Sequence, residues 1–416
     1  MNTSRAVDPA TADLASSWPA GMSWRAVASA DAAIRGLVHE PDPVRIARVA
    51  ETGLALDRVA ECREPLRRAV DAVRAGRDAA MTAFGLLCDG DVASGRWDEA
   101  GRLAEEGLAL GGPGHPLTAA SLRLAQAFMA AAHGDEVRTR ALVDAVVGWA
   151  APRGVRTLVD EGQRVLALAA LGRGDAEGAY RYATAVARPG RPGAPGTAAR
   201  RVSMDLVEAA VRVGRGEEAR RHVRAMCDVP AHAVSARFAM LTAASAALVA
   251  EPGAAVALFE EALAGPDADR WHFDQARIQL AYGDHLRRQR RAGPSRVVLG
   301  AALDTFQRLG ARPWAAQARH GLRASGLTIG HPVAPGAAAL TPDERTVAAL
   351  AASGLTNKEI ARQLMVSHHT VAARLYQVFP KLGVGSRAAL RNAMLVLDGA
   401  AAAARLDRDR ALVGIA

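Results

Sequence analysis

Residues 356–382 read TNKEIARQLMVSHHTVAARLYQVFPKL, and this stretch decides how the C-terminal end folds. Thr356 followed three residues later by Glu359 is a capping box. The hydroxyl accepts from the Glu359 N–H while the carboxylate reaches back to the cap's own N–H. Ile360, Ala361 and Leu364 then supply the apolar face of a short helix. Val366-Ser367 is a turn, Ser367 is a new N-cap, and Val371, Leu375, Val378 and Leu382 recur at helical spacing on one face. Two helices joined by so short a turn form a helix-turn-helix, whose second helix enters a major groove.

The flanks extend this unit to four helices. Upstream, Thr341, Pro342 and Glu344 form another capping box with proline at the first helical position, where its missing N–H costs nothing. Val347 and Leu350 continue that helix and Gly354 stops it. Downstream, Lys381 lies in the last turn of the third helix and Gly383 ends it. Pro380 predicts a kink or an early end there. Ser386 caps a fourth helix carrying Leu390, Met394 and Leu397.

With one face of the third helix committed to the core, the opposite face offers Ala372, Ala373, Tyr376 and Gln377 to base edges. An alanine methyl can touch a thymine methyl or leave room, Tyr376 can hydrogen-bond, and Gln377 can address adenine in bidentate fashion. Thr356, Asn357, Lys358, His368, His369, Thr370, Arg374, Lys381 and Arg387 are expected to reach phosphates, which fix register without reading sequence. The adjacent His368 and His369 cannot chelate one metal in the i, i+4 manner. They read as solvated or phosphate-facing, and no metal or other cofactor is expected.

These residues resemble the LuxR-type (NarL- or GerE-like) DNA-binding domain over about the last fifth of the chain. The matching positions include Leu340, Thr341, Pro342, Glu344, Gly354, Asn357, Lys358, Glu359, Ile360, Ala361, Leu364, Ser367, Thr370, Val371, Lys381, Leu382, Ser386 and Arg387. The resemblance implies a sequence-specific regulator whose third helix reads double-stranded DNA and whose fourth helps pair two modules, hence a homodimer on DNA. RNA polymerase is a further candidate partner. Three positions depart from the family pattern. Asp343 stands where a basic residue is usual, Ala372 where another is often found, and Arg374 where the family has a histidine. Ala372 weakens direct readout, and Arg374 is expected on a phosphate instead.

Upstream, the sequence repeats. A small residue recurs at Cys62, Ala100, Thr139, Ala179, Ala219, Ala255 and Ser295, at gaps of about 40 residues, the length of one helical hairpin in a stacked array. Gly95, Gly134, Gly174, Gly216 and Gly253 recur in phase as turn residues. A small side chain is needed where the second helix of a hairpin crosses the first. The region resembles tetratricopeptide-like repeats, and residues 273–325 resemble the last hairpins before the DNA-binding end of large MalT-like LuxR regulators. Those relatives carry an ATPase ahead of their repeats, so this chain is expected to be a short relative without nucleotide control.

The expected fold is therefore all-α. Residues 1–40 read as an irregular tail, 41–324 as a helical-hairpin solenoid, 325–339 as a flexible linker, 340–398 as the helix-turn-helix domain and 399–416 as a second tail. The loops Gly111–Pro116 and Gly190–Gly196 break the array, and neither is followed by the Gly-Lys-Ser/Thr that a phosphate cradle requires.

Composition fits this reading. Apolar residues are 50% of the chain and aromatics only 4%, which suits helices packed through Ala and Leu. The net charge of +9 is compatible with nucleic acid, but of 52 basic residues only Lys358 and Lys381 are lysines. Arginine in such excess reflects a GC-rich genome more readily than a mechanism. Three separated cysteines suggest a reducing compartment. No apolar run reaches the roughly 18 residues of a spanning helix, so no membrane contact is expected and the location reads as cytoplasmic, with the nucleoid. No hydrolase or metalloenzyme pattern is present, so an enzyme is not expected. The array is expected to bind an effector or a protein in its groove. The alternative is a helical-repeat interaction scaffold whose terminal module binds DNA little.

Overall fold

The computed structural model describes residues 24–76, 78–111, 114–194, 196–229, 235–326, 340–382, 384, 387, 390 and 394. Of Trp24, Arg25, His369 and Pro380 only the backbone is described. Within these residues the chain is helical throughout, with no strand.

Residues placed in the expected irregular tail form α1 (Trp24–Gly36), extended by a 3-10 turn at Leu37–His39. Val27, Ala30, Ile34 and Leu37 are buried, and their spacing of three and four residues is itself a helical stripe. Residues 1–23 lie outside the described residues.

Seven hairpins follow among the described residues. They pair α2 (Pro43–Ala55) with α3 (Val59–Arg74), α4 (Thr82–Ala93) with α5 (Trp97–Gly111), and α6 (Pro116–His133) with α7 (Glu136–Ala150). Next, α8 (Arg156–Arg173) pairs with α9 (Ala176–Val186). After the short α10 (Ala198–Arg201), α11 (Ser203–Arg212) pairs with α12 (Gly216–Cys227) and α13 (Ala236–Val249) with α14 (Pro252–Ala264). Finally, α15 (His272–Arg288) pairs with α16 (Ala292–Arg308), and α17 (Arg312–Ala324) packs on both.

Each small marker residue, from Cys62 to Ser295, is the fourth residue of the second helix of its hairpin. None is more than 1% exposed. The close crossing is visible at Ser295, whose hydroxyl donates to the Gly283 carbonyl at 2.8 Å. A left-handed residue stands five positions before the marker in six of the hairpins: Asp57, Gly95, Gly134, Gly174, Gly214 and Arg290. Gly134 shows why. Its φ of +82° closes α6, and the next residue, Asp135, caps α7 by accepting from the Arg138 N–H at 2.9 Å. Gly216 and Gly253, expected as turn residues, instead lie inside the first turns of α12 and α14.

The superhelix is wound so tightly that its two ends meet its middle. Gln317 on α17 donates to the carbonyls of Leu171 and Gly172 at 3.2 and 2.9 Å, at the end of α8. Arg201 makes a bidentate pair with Asp89 on α4 at 2.9 and 2.8 Å. Trp97, Phe128, Phe273, Phe306 and Trp314 stack edge to face or tilted across the centre, with centroids 5.3–6.2 Å apart. The open concave groove expected of a solenoid is thus a packed interior. No described helix is long and apolar enough to cross a membrane.

Ser325, placed in the expected linker, is 7% exposed and donates to the Gly321 carbonyl at 2.9 Å. Residues 327–339 lie outside the described residues. Beyond them a separate core is built from Leu340, Val347, Ile360, Val371, Leu375, Val378, Leu390 and Met394.

Candidate nucleic-acid interface

Three helices carry the terminal domain: α18 (Pro342–Ala352), α19 (Asn357–Leu364) and α20 (His368–Leu382). Both capping boxes form. The Thr341 N–H donates to Glu344 at 2.8 Å and the Thr356 N–H to Glu359 at 2.7 Å, and each hydroxyl accepts from the matching glutamate N–H at 3.2 and 3.4 Å. Ser367 caps α20 by accepting from the Thr370 N–H at 3.0 Å. The turn between α19 and α20 passes through Met365, a left-handed residue with φ +52° and its side chain 93% exposed. No glycine marks that position, so the sequence gives little warning of it. Nor does Pro380 end α20 early, since the helix runs two residues further to Leu382. A proline at that position removes only one late hydrogen bond. Gly383, Ser386 and Leu397 lie outside the described residues. Leu390 and Met394 are helical and buried in the core.

The expected faces of α20 are well separated. Val371, Leu375 and Val378 are buried, while Ala372, Ala373, Tyr376 and Gln377 are exposed, Tyr376 to 80%. This surface carries two methyl groups, a phenol and an amide, and no charge.

The side chains expected to face phosphates divide sharply. Thr356, Lys358 and His368 are exposed. Asn357 is half-buried and accepts from Arg387 Nη1 at 2.6 Å. Thr370 is half-buried, its hydroxyl 2.8 Å from that of Ser367. The His369 side chain lies outside the described residues. Three cations are tied into the domain instead. Lys381 places its ammonium 2.6 and 2.7 Å from the two carboxylate oxygens of Glu344. That contact, joined by the Thr341 N–H, holds the Glu344 carboxyl below its ordinary range. Arg387 donates to Asn357 and to the Leu355 carbonyl, lashing the end of the domain to the start of α19. Arg374 lies 2.9 Å from Asp343 on α18. Lys381 and Arg387, expected on phosphates, are thus engaged within the domain. Each sits where a carboxylate or carbonyl satisfies it within the domain, which a helix-by-helix reading cannot see.

Arg374 and Asp343 are two of the departures from the family pattern, and they meet each other. Arg362 was not expected at the interface. It is exposed four residues after Lys358, on the same face of α19. That spacing was the available signal.

Comparison with known proteins agrees with this geometry. Residues 338–393 match the family described as bacterial regulatory proteins, luxR family. The chain is also 49% identical over 57 residues to relatives from Mycobacterium bovis and Mycobacterium tuberculosis whose names describe HTH-type transcriptional regulators. The match covers 14% of this chain and only 6% of the length of each relative. The C-terminal domain is a LuxR-family helix-turn-helix domain.

Proposed function

We propose that this protein is a DNA-binding transcriptional regulator, acting in the cytoplasm on the nucleoid. In this reading α20 lies in the major groove and the hairpin array receives the signal. The observation that carries it is the division of α20 into a buried apolar face and an exposed, uncharged, hydrogen-bonding face, set behind a doubly capped helix-turn-helix. Tyr376 and Gln377 read base edges, and Ala372 and Ala373 allow close approach. Lys358 and Arg362, with Thr356 and His368 at the helix starts, take phosphates. A reading face with no charge gives one module little affinity of its own, so two modules act as a homodimer on DNA. RNA polymerase is the partner such a regulator addresses.

A mobility-shift assay over a salt series tests this. Each neutralised phosphate contributes about −0.9 to the slope of log K against log salt. Lys358→Ala is expected to lower that slope by about one, uniformly across promoter fragments. Lys381→Ala should leave the slope unchanged, because its ammonium is engaged by Glu344. Absence of retardation on every fragment would leave an interaction scaffold as the better reading.

A further inference from the structure

Arg287-Arg288-Gln289-Arg290-Arg291 is the densest basic run of the chain, and it forms the turn between α15 and α16. Arg287 and Arg288 have a local reason to be there. They stand in the last turn of α15, where cations offset the negative end of the helix. Arg288 donates to the Asp284 carbonyl at 3.3 Å, and Arg287 lies 3.4 Å from the Asp284 carboxylate. Arg290 and Arg291 are exposed, and so is Arg323 in the last turn of α17. Among the described residues no carboxylate lies within ion-pair distance of these three. Other hairpins differ. Arg58, Arg96 and Arg215 each follow the left-handed residue, as Arg291 does, and lie 3.0, 2.7 and 3.2 Å from Asp31, Asp91 and Glu218.

Arg290 is also left-handed, with φ +59°. At the same place in their hairpins Gly95, Gly134, Gly174 and Gly214 adopt this conformation, which is unfavourable for a residue with a Cβ. Asp57 is the other exception, and its carboxylate accepts from Ser235. An exposed arginine held in strained backbone, with no acid beside it, points to a partner outside the array. The run also sits where the chain leaves the array. The Ser295 N–H donates to the Arg291 carbonyl at 3.1 Å, and the Ser295 hydroxyl lies 3.2 Å from that of Ser325. From Gly326 to Leu340 the chain can span at most about 50 Å. A helical turn of B-DNA is about 35 Å, so the run and α20 can reach one duplex.

We propose that Arg290, Arg291 and Arg323 form a second DNA contact, made to the phosphate backbone and without base readout, which rests on the regulator reading above. A row of phosphates fits this surface better than a protein does. Of the large apolar side chains of α15, α16 and α17 only Val297 lies in water, whereas the centre of a protein interface is apolar and rich in aromatics. Cations on long stems, with no apolar centre between them, suit a polyanion. The contact also supplies what α20 lacks, since its reading face carries no charge. The array then adds affinity to any sequence, and α20 chooses among sequences.

The test is mobility shift of the full chain over a salt series on several promoter fragments, with tryptophan-detected unfolding of each variant. Arg290→Gly, Arg291→Ala and Arg323→Ala are each expected to make the slope of log K against log salt shallower by about 0.9, on every fragment alike. Arg290→Gly should at the same time raise the unfolding midpoint or leave it unchanged, because glycine relieves the left-handed backbone. A merely structural arginine would lower the midpoint and leave the slope. Arg102→Ala removes an exposed charge from α5 and should not move the slope. An equal effect of Arg102→Ala would make the loss one of net charge, and a loss on one fragment only would make the turn a base reader. Either overturns the proposal. Unchanged slopes in the three variants overturn it too, and return the run to solvent or to an acidic protein partner. Wild-type retardation then persists and the regulator reading stands, whereas a wild type that retards no fragment removes both.

Discussion

In the hairpin array, Arg277 holds Asp205 with the two side chains 6% and 5% exposed, whereas in the terminal domain Arg374 holds Asp343 with 30% and 69% exposed. The chemistry is the same and the consequence is opposite. A pair taken out of water has lost its hydration, so each partner depends on the other and on every remaining hydrogen bond. A pair left in water contributes about 0–1 kcal/mol and exchanges partners readily. The array uses its charges to close a ring. The terminal domain leaves its Arg374–Asp343 pair largely in water.

The largest effect expected from this contrast is at Arg277 itself. Replacing it by methionine leaves Asp205 and Glu208 facing each other in the interior, and breaking a buried pair in this way costs about 3–5 kcal/mol. All six tryptophans precede residue 315. Denaturant unfolding followed by tryptophan fluorescence therefore reports on the array without the terminal domain. Lys358→Ala, by contrast, should leave that transition unmoved and act on DNA retardation alone. An Arg277→Met transition shifted by less than about 1 kcal/mol would mean that water screens these pairs, and the comparison would fail.

Acid separates the two regions next. His222 on α12 is fully buried, and its Nδ1 accepts from the Gly190 N–H at 3.1 Å. Burial pushes its pKa down to about 4. The folded array thus keeps His222 neutral while the unfolded chain protonates it below about pH 6.5. The associated stability is complete above pH 6.5 and is lost as pH falls towards 4, about 3 kcal/mol in all. His133, His272 and His285 are shifted down as well, each first by burial, and act in the same direction. In the terminal domain the shifted groups are Glu344, held down by Lys381 and Thr341, and Glu359, held down by the Thr356 N–H and hydroxyl. Their contribution is present above the ordinary carboxylate pKa of about 4.3 and lost only below it. Between pH 6.5 and 5 the array should weaken while the terminal domain holds. His222→Asn, which keeps an acceptor for Gly190, should flatten the fluorescence-detected profile. A wild-type profile already flat over that range would remove the effect.

What was legible in the sequence follows the same division by depth. The caps at Thr341, Thr356 and Ser367 and the buried face of α20 are decided within four residues of chain, and the structure forms them all. The small residues of the array are local too, which is why Cys62 to Ser295 could be placed without coordinates. The stripe at Val27, Ala30, Ile34 and Leu37 was equally local, and the prolines around it obscured it. Closure of the ring was not legible. It depends on Asp89 meeting Arg201, Asp57 meeting Ser235 and Gln317 meeting Leu171, each over a hundred residues apart. Lys381 shows the same limit on a smaller scale. Its position in the last turn was readable, but its partner 37 residues away was not.

The smallest expected effect lies at the turn between α19 and α20. Left-handed backbone costs a residue with a Cβ about 1 kcal/mol or more, and Met365 has φ +52° with its side chain almost wholly in water. Its N–H bonds back to α19, the Val366 N–H reaches the Ala361 carbonyl at 3.0 Å, and the Val366 side chain packs on the core, so the Met365 side chain itself adds nothing to holding the turn. Among the described residues, no packing of the Met365 side chain repays the strain. Met365→Gly should accordingly stabilise the terminal domain by up to about 1 kcal/mol, reduced by the greater freedom of glycine in the unfolded chain. Hydrogen exchange of the α19 and α20 amides measures this, since no tryptophan lies there. Slower exchange with unchanged DNA retardation would make Met365 a tolerated cost of the turn. Slower exchange with weakened retardation would make its exposed thioether part of the DNA contact, extending the uncharged reading surface from α20 onto the turn before it. Faster exchange would show that the side chain packs in solution, and the account of the turn as strained backbone would fall.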